Sequence, residues 1–330
     1  MKKILIFTVL LLQSQFSTSI CVENAYWYNL EPINISLGQY TIEQHSYLEI
    51  VSDTSLRGIL YLEAIFSEKE EAYKKTFEIN DSTKKSIING NLYSYFLEVP
   101  YFKVPPIQIK IKDKYGFLLK NVECKYSKLE GYVKCDLQYN NLYVGVVPNG
   151  FQDPDLFQPV QVNGYYSMLL PQRYYNAAFA VADSYGKHTL ESWTFNINGN
   201  TNLKLDYNIQ NIEIYNLHTW ENNGGGKDLF IVFRPMSLKQ QIINKMNIGN
   251  EIFTEIDFQI DLKKENINIS VEKEILKIIS IQSFFETNSN GSAFKSYMVQ
   301  TEFDKKFKNK LLTVKIDFNK NCGNSSIFLK

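Results

Sequence analysis

The sequence predicts an all-β protein made of tandem β-sandwich modules, and three observations support that fold class. Apolar and polar residues alternate with a period of two in most runs, as in half-buried antiparallel strands. In residues 201–209 the apolar side chains all fall on one side, and they are Leu203, Leu205, Tyr207 and Ile209. Such runs recur about every 8–12 residues, a spacing typical of sandwiches, and long helical periodicity is nearly absent.

Length and composition are those of a folded protein with more than one domain. A chain of 330 residues holds two or three domains at the usual ~100–150 residues each. Apolar residues make up 44%, and 22 Tyr and 22 Phe accompany only 9 Pro, which argues against disorder. The 35 basic residues balance the 35 acidic ones, so the chain as a whole has no net charge. We therefore expect no nucleic-acid partner and no electrostatic attraction of the whole chain to an anionic membrane.

The first 19 residues have the three parts of a secretory signal peptide. Residues 1–3 carry two lysines, residues 4–12 form a short apolar run, and residues 17–19 are small, as at a cleavage site. The apolar run is too short to span a bilayer, and no other stretch approaches transmembrane length. Cys21 invites a lipoprotein interpretation, but the bulky Ile20 before it favours a plain secreted protein. We therefore expect a secreted, extracellular or cell-surface location.

Four cysteines remain after the signal peptide, an even number in an oxidising compartment: Cys21, Cys124, Cys135 and Cys322. Four cysteines allow three connectivities. A two-residue turn at Leu129 and Glu130 would set Cys124 directly opposite Cys135, within disulfide reach. We therefore predict a Cys124–Cys135 disulfide, with two unrelated buried thiols as the alternative, and leave the pairing of Cys21 and Cys322 open.

Three modules are expected after the signal peptide, and each has the rhythm of an immunoglobulin-like sandwich. Their predicted limits are residues 22–122, 123–236 and 237–330, the last a β-rich C-terminal module. One stretch, residues 237–246, reads as a helix.

The middle module contains the clearest local pattern, VNGYYSMLLPQRYYNAAFAVAD, in residues 162–183. Asn163 and Gly164 suit a two-residue type I′ turn between two strands, because both tolerate positive φ. Pro171 has no N–H to donate and is expected to stop the returning strand. The next strand begins at Tyr174 and places Tyr175 on its apolar face.

This arrangement resembles the core of carboxypeptidase regulatory-like domains, which are transthyretin-like β-sandwiches. In that resemblance Gly131–Val133 is the first strand, Leu142–Val147 is its partner, and the signature positions are Gly164, Leu170, Pro171 and Tyr174 or Tyr175. Residues 189–193 and 213–236 look like an uncharacterised extension found with such domains in secreted bacterial proteins. The resemblance implies a fold and an accessory role, and it carries over no catalytic residue.

Exposed aromatic residues are the candidates for ligand binding, because they stack on sugar rings or anchor protein partners. The middle module supplies four candidates: Trp193, Trp220, Tyr165 and Tyr185. The alternative for each is core packing, which is the commoner role of Trp in a sandwich.

No metal or cofactor is expected. The tetrads that begin at His188 and His218 each end in Glu, but residues three apart on a strand point to opposite faces. Asp153 and Asp155 belong to an Asp-Pro-Asp sequence that is typical of turns, and they lack the spacing of a calcium-binding loop. The glycine-rich residues 220–228 lack the ending of a phosphate-binding loop.

The sequence thus predicts a non-enzymatic secreted or cell-surface protein that binds a glycan or an extracellular protein, or acts as a scaffold. No nucleophile elbow or Cys/His nucleophile is found. The alternative is a secreted glycoside hydrolase whose carboxylate site includes Asp153, Asp183 and Glu191, since glycosidases need two carboxyls that face one cleft. An aromatic-lined groove would support binding, and a deep pocket with facing carboxylates would support hydrolysis.

Overall fold

The computed structural model describes residues 22–37, 39–53, 55–66, 69–80, 83, 85–88, 92–135, 141–149, 156–222, 227–239 and 241–330. Within these ranges the chain forms strands and two 3-10 turns, Lys264–Asn266 and Lys305–Phe307, and no α-helix. The predicted all-β class is confirmed. The signal peptide and Cys21 lie outside the described residues.

The strands, in chain order, are β1 Val22–Tyr28, β2 Ile33–Leu37, β3 Tyr40–Gln44, β4 Ser46–Ser52, β5 Gly58–Phe66, β6 Lys69–Ile79, β7 Lys85–Ile88, β8 Leu92–Val99, β9 Gln108–Lys112, β10 Leu118–Glu123, β11 Tyr126–Cys135, β12 Leu142–Val147, β13 Leu156–Pro159, β14 Tyr165–Pro171, β15 Tyr174–Ala182, β16 Ser192–Asn198, β17 Leu203–Lys204, β18 Tyr207–Ile209, β19 Ile212–Glu221, β20 Asp228–Ser237, β21 Gln241–Ile248, β22 Glu251–Asp257, β23 Ile267–Val271, β24 Glu274–Ile275, β25 Ile278–Thr287, β26 Ser292–Glu302, β27 Leu311–Phe318 and β28 Asn321–Phe328.

The chain divides into two compact units. Unit 1 contains the described residues up to 32 together with residues 45–126, and unit 2 contains residues 33–44 and 127–330. The predicted limit near 122 lies close to this division. The predicted limit near 236 falls inside unit 2, where β20 of the middle segment pairs with β26 of the last segment. That residues 123–236 and 237–330 are separate modules stays a prediction.

Unit 1 is a sandwich of two four-stranded sheets, ordered β1-β4-β8-β7 and β10-β9-β5-β6. With β2 and β3 set aside, this order is the A-B-E-D sheet and the G-F-C-C′ sheet of an immunoglobulin-like domain. Alternate residues of both sheets are buried in one core that includes Trp27, Leu48, Ile50, Tyr95 and Ile109. The first predicted module therefore has the immunoglobulin-like arrangement.

Unit 2 is built around an eight-stranded sheet, ordered β13-β12-β15-β16-β28-β27-β23-β24. On β15 the side chains of both faces are buried, since Ala177 and Val181 are as inaccessible as Ala178 and Ala180. One face packs on the six strands β19 to β22, β25 and β26, in a core shared with Ile231. The other face is covered by the smaller sheet of β14, β11, β17 and β18, because β18 contacts β15 and β16.

The turn at Asn163 and Gly164 differs from the predicted two-residue hairpin. Gln161 accepts a hydrogen bond from the Gly164 N–H at 2.8 Å and donates its own N–H to the Tyr165 carbonyl at 2.8 Å. The loop thus has three residues, and only Gly164 has positive φ, at +83°. It joins two sheets, since β13 pairs with β12 and β14 pairs with β11. The alternation predicted both strands, but it could not show that they belong to different sheets.

The predicted hairpin around Leu129 and Glu130 is wrong. β11 runs through both residues without a turn and pairs in parallel with β17 and β18. Cys124 and Cys135 are therefore not cross-strand neighbours, and the described cysteines are thiols rather than disulfides. The strand Leu142–Val147 forms as expected, but its partners are β13 and β15 rather than β11.

The stretch predicted as a helix also forms a strand. Residues 241–248 are β21, which turns at Gly249, with φ +63°, and pairs with β22. Ile248 lies opposite Glu251 and Ile242 lies opposite Ile256. Pairing with a neighbour in the sheet outweighs the weak helical periodicity of this segment, because intrinsic helix propensity is a small contribution beside tertiary structure.

Candidate functional site

Trp193, one of the four aromatic residues predicted to bind a ligand, lies in the core of unit 2. It is 4% exposed on β16, and its ring stacks on Phe179 at 4.5 Å and on Phe195 at 5.6 Å between centroids. The ring is therefore mostly enclosed by other side chains. Its role in this structure is packing.

Trp220 and Tyr165 lie on other strands and do not meet Trp193. Trp220, on β19, is 46% exposed, and its inner face stacks on Phe230 of β20 at 5.6 Å. Tyr165 is half-buried at the start of β14, and its hydroxyl donates to Glu130 Oε2 at 2.6 Å. The ring of Tyr165 meets the exposed ring of Tyr132 edge-on at 5.6 Å.

The fourth candidate, Tyr185, meets Trp193 at a pocket of about 290 Å³. Aromatic rings and three charged groups line this pocket, which is formed by Phe179, Tyr185, Glu191, Trp193, Glu213, Tyr215, Arg234 and Met236. It thus joins two of the predicted aromatics with Glu191, a carboxylate of the predicted hydrolase alternative.

Glu213 is the unusual group of this pocket, because it is a carboxyl with only 1% exposure. Its Oε1 accepts a hydrogen bond from Trp193 Nε1 at 3.0 Å, and its Oε2 is buried with no hydrogen-bond partner among the described residues. Burial raises the pKa of Glu213 to about 7, although the Trp193 N–H, the Glu191 backbone and the charge of Arg234 all act to lower it. The carboxyl is therefore poised to change its charge near neutral pH.

Arg234, the cation of the pocket, is held by other groups. Its guanidinium lies over the rings of Tyr215 and Phe294, at 5.1 and 4.6 Å from their centroids. Its Nη1 is 3.4 Å from Glu286 Oε2, and Asn216 donates to the other oxygen of Glu286 at 3.0 Å. The positive charge of Arg234 thus forms an ion pair with Glu286 and cation–π contacts with two aromatic rings.

The other carboxylates of the hydrolase alternative do not join Glu191. Asp153 lies outside the described residues, as does Asp155. Asp183 follows β15, accepts a hydrogen bond from the Asn141 amide at 3.2 Å, and is not among the residues that line the pocket. In the part of the chain that the structure describes, no three His, Cys, Asp or Glu side chains are grouped as a metal site requires.

A larger site lies on the eight-stranded sheet, where its covering layer ends. The small sheet covers the half of this face that contains β15 and β16, while β28, β27 and β23 present polar residues on the same side. The step between the edge of the small sheet and this open face is a groove of about 1190 Å³. We call it the polar groove, and its lining strands are β11, β18, β23, β24, β27 and β28.

The floor of the polar groove consists of side chains arranged in rows across three strands. Asn268 lies opposite Lys315, which in turn lies opposite Asn324, so an amide, an ammonium and an amide form one row. The next row is Ser270, Thr313 and Ser326, in which the hydroxyls of Thr313 and Ser326 are 2.9 Å apart. The intervening residues of each strand face the core, so the alternation fixes these rows in place.

One wall of the polar groove is positioned by a close approach of two backbones at Gly131. A Cβ at residue 131 would lie 1.9 Å from the Leu205 carbonyl oxygen, so only glycine fits there. Beside this contact the Tyr132 backbone N–H donates to Asp206 Oδ1 at 2.9 Å. Tyr132, which is 45% exposed, and Lys134 are thereby presented to the groove from β11.

The groove carries both signs of charge and many neutral polar groups. Lys134, Lys273 and Lys315 supply the positive charges, and the acidic residues are Asp206, Glu265, Glu272 and Asp317. Amides and hydroxyls supply most of the remaining polar lining. This surface can donate and accept hydrogen bonds along its length, and it lacks the single sign of charge that a nucleic acid requires.

Sequence reasoning did not find the polar groove, although part of the signal was present. Alternation in residues 267–271 and 311–318 predicts strands with one polar face. Which strands are neighbours, and which face lacks a covering layer, depends on pairing between β16 and β28 across more than 100 residues. A single sequence does not specify such distant pairs.

Comparisons with known proteins identify no family for this chain. No protein-family model matches it, and no curated protein matches it. A solved DUF3823 family protein from Parabacteroides merdae is 14% identical with a TM-score of 0.21, covering 63% of this chain and 100% of that one. The major pilin subunit of Bacillus cereus is 7% identical with a TM-score of 0.20, covering 62% and 68%. The I67–I69 fragment of titin is 9% identical with a TM-score of 0.18, covering 93% and 99%.

TM-scores at this level carry no argument about function, so the class of the protein rests on its own sheets and grooves. The fold and the polar groove define an all-β protein of β-sandwich units, one of which has an open, hydrogen-bonding surface. In the described ranges, no helix is both long and apolar enough to cross a bilayer.

Proposed function

We propose that this protein is a non-enzymatic, secreted or cell-surface module that binds a neutral oligosaccharide in the polar groove of unit 2. The observation that carries this proposal is the row Asn268, Lys315 and Asn324 on an uncovered sheet face. Among the described residues no hydrogen bond or ion pair engages the side chains of Asn268 and Lys315, and both are exposed. They are available to a ligand.

The chemistry of the groove suits a chain of hydroxyl groups. Each sugar hydroxyl both donates and accepts, and the rows offer amide, ammonium and hydroxyl groups that match both roles. A volume of about 1190 Å³ exceeds the ~300–1,000 Å³ of ordinary small-molecule pockets, which favours an extended ligand. The mixed charges favour a neutral ligand over a polyanion.

Tyr132 gives the groove an apolar surface beside the polar rows. Its ring is 45% exposed, and the edge contact with Tyr165 holds it in place. The hydroxyl of Tyr165 is in turn bound to Glu130, which also forms an ion pair with Lys128. A ring fixed in this way loses little conformational freedom when a sugar stacks on it.

A secreted glycoside hydrolase is the second candidate, and the raised pKa of Glu213 beside Glu191 is the observation that favours it. A general acid must reach the oxygen it protonates, to about 2.6–3.2 Å. Glu213 Oε1 is bound to Trp193 and Oε2 is buried, so neither oxygen faces a substrate in this structure. The binding function is therefore the better supported of the two.

Isothermal titration of the full chain without its signal peptide tests the proposal, with cellohexaose, xylohexaose, laminarihexaose and chitohexaose as probes. We expect at least one hexasaccharide to bind. Lys315→Ala and Tyr132→Ala should each weaken that binding about tenfold or more, because each removes a central contact. Lys74→Ala, an exposed lysine of unit 1, and Trp220→Ala, an exposed aromatic of β19, are the matched controls.

Two results would overturn the groove assignment. One is binding that survives Lys315→Ala and Tyr132→Ala but is lost in Trp220→Ala, which would move the site to β19. The other is the release of shorter sugars from any probe, abolished by Glu213→Gln, which would establish the hydrolase instead.

A further inference from the structure

The β9–β10 hairpin of unit 1 presents three large apolar side chains to solvent at its tip. Tyr115 is 73% exposed, Phe117 is 71% exposed and Leu118 is 55% exposed. Tyr115 and Phe117 lie in the turn after Lys112, and Leu118 begins β10 and faces Lys112 across the two strands. Soluble proteins expose single apolar residues routinely, but a contiguous group at a protruding tip indicates an interaction site.

The tip is a fixed structure, because Asp113 ties it together. Asp113 Oδ1 accepts hydrogen bonds from the backbone N–H groups of Tyr115 and Phe117, both at 2.9 Å. The Asp113 backbone donates to the Phe117 carbonyl at 2.9 Å and accepts from Gly116 at 3.0 Å. Gly116 takes the positive φ of +86° that closes the turn. The two rings are therefore held outward by the backbone rather than exposed by chance.

Lysines outnumber acidic residues in the segment that contains this hairpin, although the overall charge of the chain is zero. Residues 103–125 contain six lysines and two acidic residues, whereas the whole chain has 35 of each sign. The Lys114 ammonium lies over the Tyr115 ring, 4.9 Å from its centroid, and Lys120 follows the tip on β10. Lys112 is bound to Glu63 at 3.0 Å, so the positive charge beside the rings comes chiefly from Lys114 and Lys120.

We propose that the β9–β10 tip inserts Tyr115, Phe117 and Leu118 into the headgroup region of a bilayer that contains anionic phospholipid. Aromatic side chains favour this region of a membrane, and lysines beside them reach the phosphates while their stems stay in apolar surroundings. The complementary charge selects an anionic surface. The tip of a hairpin has no walls that could enclose a small ligand. A bilayer surface is deformable and can surround the exposed side chains.

Binding by three side chains and a few lysines is reversible. Even a single myristoyl chain by itself gives only marginal, reversible association, so three exposed side chains alone are not expected to anchor the protein permanently. Each lysine near an anionic surface adds about fivefold in partition, and that contribution is lost in high salt. We therefore expect binding that depends steeply on the anionic lipid and on ionic strength.

Co-sedimentation of the chain without its signal peptide tests this, using vesicles of phosphatidylcholine alone and with 30% phosphatidylglycerol. We expect binding to the mixed vesicles, little to the neutral ones, and release in high salt. The double variant Tyr115→Ser, Phe117→Ser should lower the partition at least tenfold, because it removes most of the inserted apolar surface. Lys114→Gln and Lys120→Gln should each lower it about fivefold.

Tyr174→Ser is the matched control, since Tyr174 is 63% exposed and lies in unit 2. The proposal fails if the chain does not bind the mixed vesicles at low salt, or if the tip variants bind as well as Tyr174→Ser. Circular dichroism of each variant confirms that it is folded. Phe117→Trp adds a second measurement, because insertion predicts that brominated lipid quenches the added fluorescence. Full binding without such quenching would mean attraction by charge alone and would also overturn insertion.

Discussion

Replacing Glu213 with glutamine should change how the stability of unit 2 depends on pH. The substitution keeps the oxygen that accepts from Trp193 Nε1 at 3.0 Å and removes the group that ionises. Burial raises the pKa of Glu213 from its ordinary value of 4.5 to about 7 in the folded protein. In the unfolded chain the carboxyl returns to its ordinary value.

The sign of the effect follows from proton binding. Between pH 4.5 and about 7 the folded state holds a proton on Glu213 that the unfolded state has released. Stability therefore falls as pH rises through this interval, and the cost of the buried charge is fully present above it. The shift of the Glu213 pKa from 4.5 to about 7 corresponds to a loss of about 3 kcal/mol in the free energy of unfolding. This is an upper figure, because local rearrangement relieves part of the cost of the buried charge.

Glu213→Gln removes this dependence. Near pH 4.5 the variant should be as stable as the wild type or about 1 kcal/mol less stable. The loss would arise because the amide nitrogen of glutamine replaces Oε2 at a buried position that has no hydrogen-bond partner among the described residues. Near pH 8 the variant should be more stable by about 1–3 kcal/mol. Urea denaturation at a series of pH values, followed by tryptophan fluorescence, measures the difference; Trp193 and Trp220 report unit 2 and Trp27 reports unit 1.

Glu63→Gln in unit 1 is the control, because its pKa shift has the opposite direction. The hydrogen bond from Lys112 lowers the pKa of Glu63, so the wild-type carboxylate stabilises the fold above its unfolded pKa and loses that contribution on acidification. If Glu213→Gln shows the same stability difference at pH 4.5 and pH 8, then Glu213 is not a buried titrating group and the argument is refuted.

Three further predictions concern the turn, the cysteines and the N-terminus. Gly164→Val should lower the free energy of unfolding by roughly 1–3 kcal/mol, since φ is +83° and a Cβ would lie 2.9 Å from the Val133 oxygen; an unchanged denaturation midpoint would contradict this. Cys124 should resist maleimide until the protein unfolds, because burial raises its thiol pKa to about 12, and rapid labelling of native protein would refute that. Exported protein should lack residues 1–19, and an intact mass that includes Met1 would disprove it.

The sequence was most informative where one strand can be judged by itself. Alternation predicted that Leu205, Tyr207 and Ile209 share a buried face, and all three are buried. Even so, the segment divides into β17 and β18, because the chain departs from the strand at Asp206, whose carboxylate accepts from the Tyr132 backbone. Local pattern gives the face of a side chain, whereas the extent of pairing depends on the neighbour.

Errors arose where a conclusion needed the identity of the neighbouring strand. The symmetry of Cys124 and Cys135 about a two-residue turn was plausible locally, but Gly131 serves a close backbone approach to Leu205 within one continuous strand. The polar groove was missed for a related reason. Its rows depend on β28 lying between β16 and β27, and the residues that pair there are far apart in the chain.

The β2–β3 segment has a consequence for the order in which the chain is made. Residues 33–44 belong to unit 2, where Ile35 and Leu37 are buried in its core and Gln44 donates to the Phe157 carbonyl at 2.9 Å. Phe157 follows Gln44 by 113 positions, which take roughly 6–23 s to synthesise, so this hairpin waits for its partners while residues 45–126 of unit 1 are being added. A protease cut anywhere in residues 45–126 would leave residues 33–44 attached to unit 2 by contacts alone.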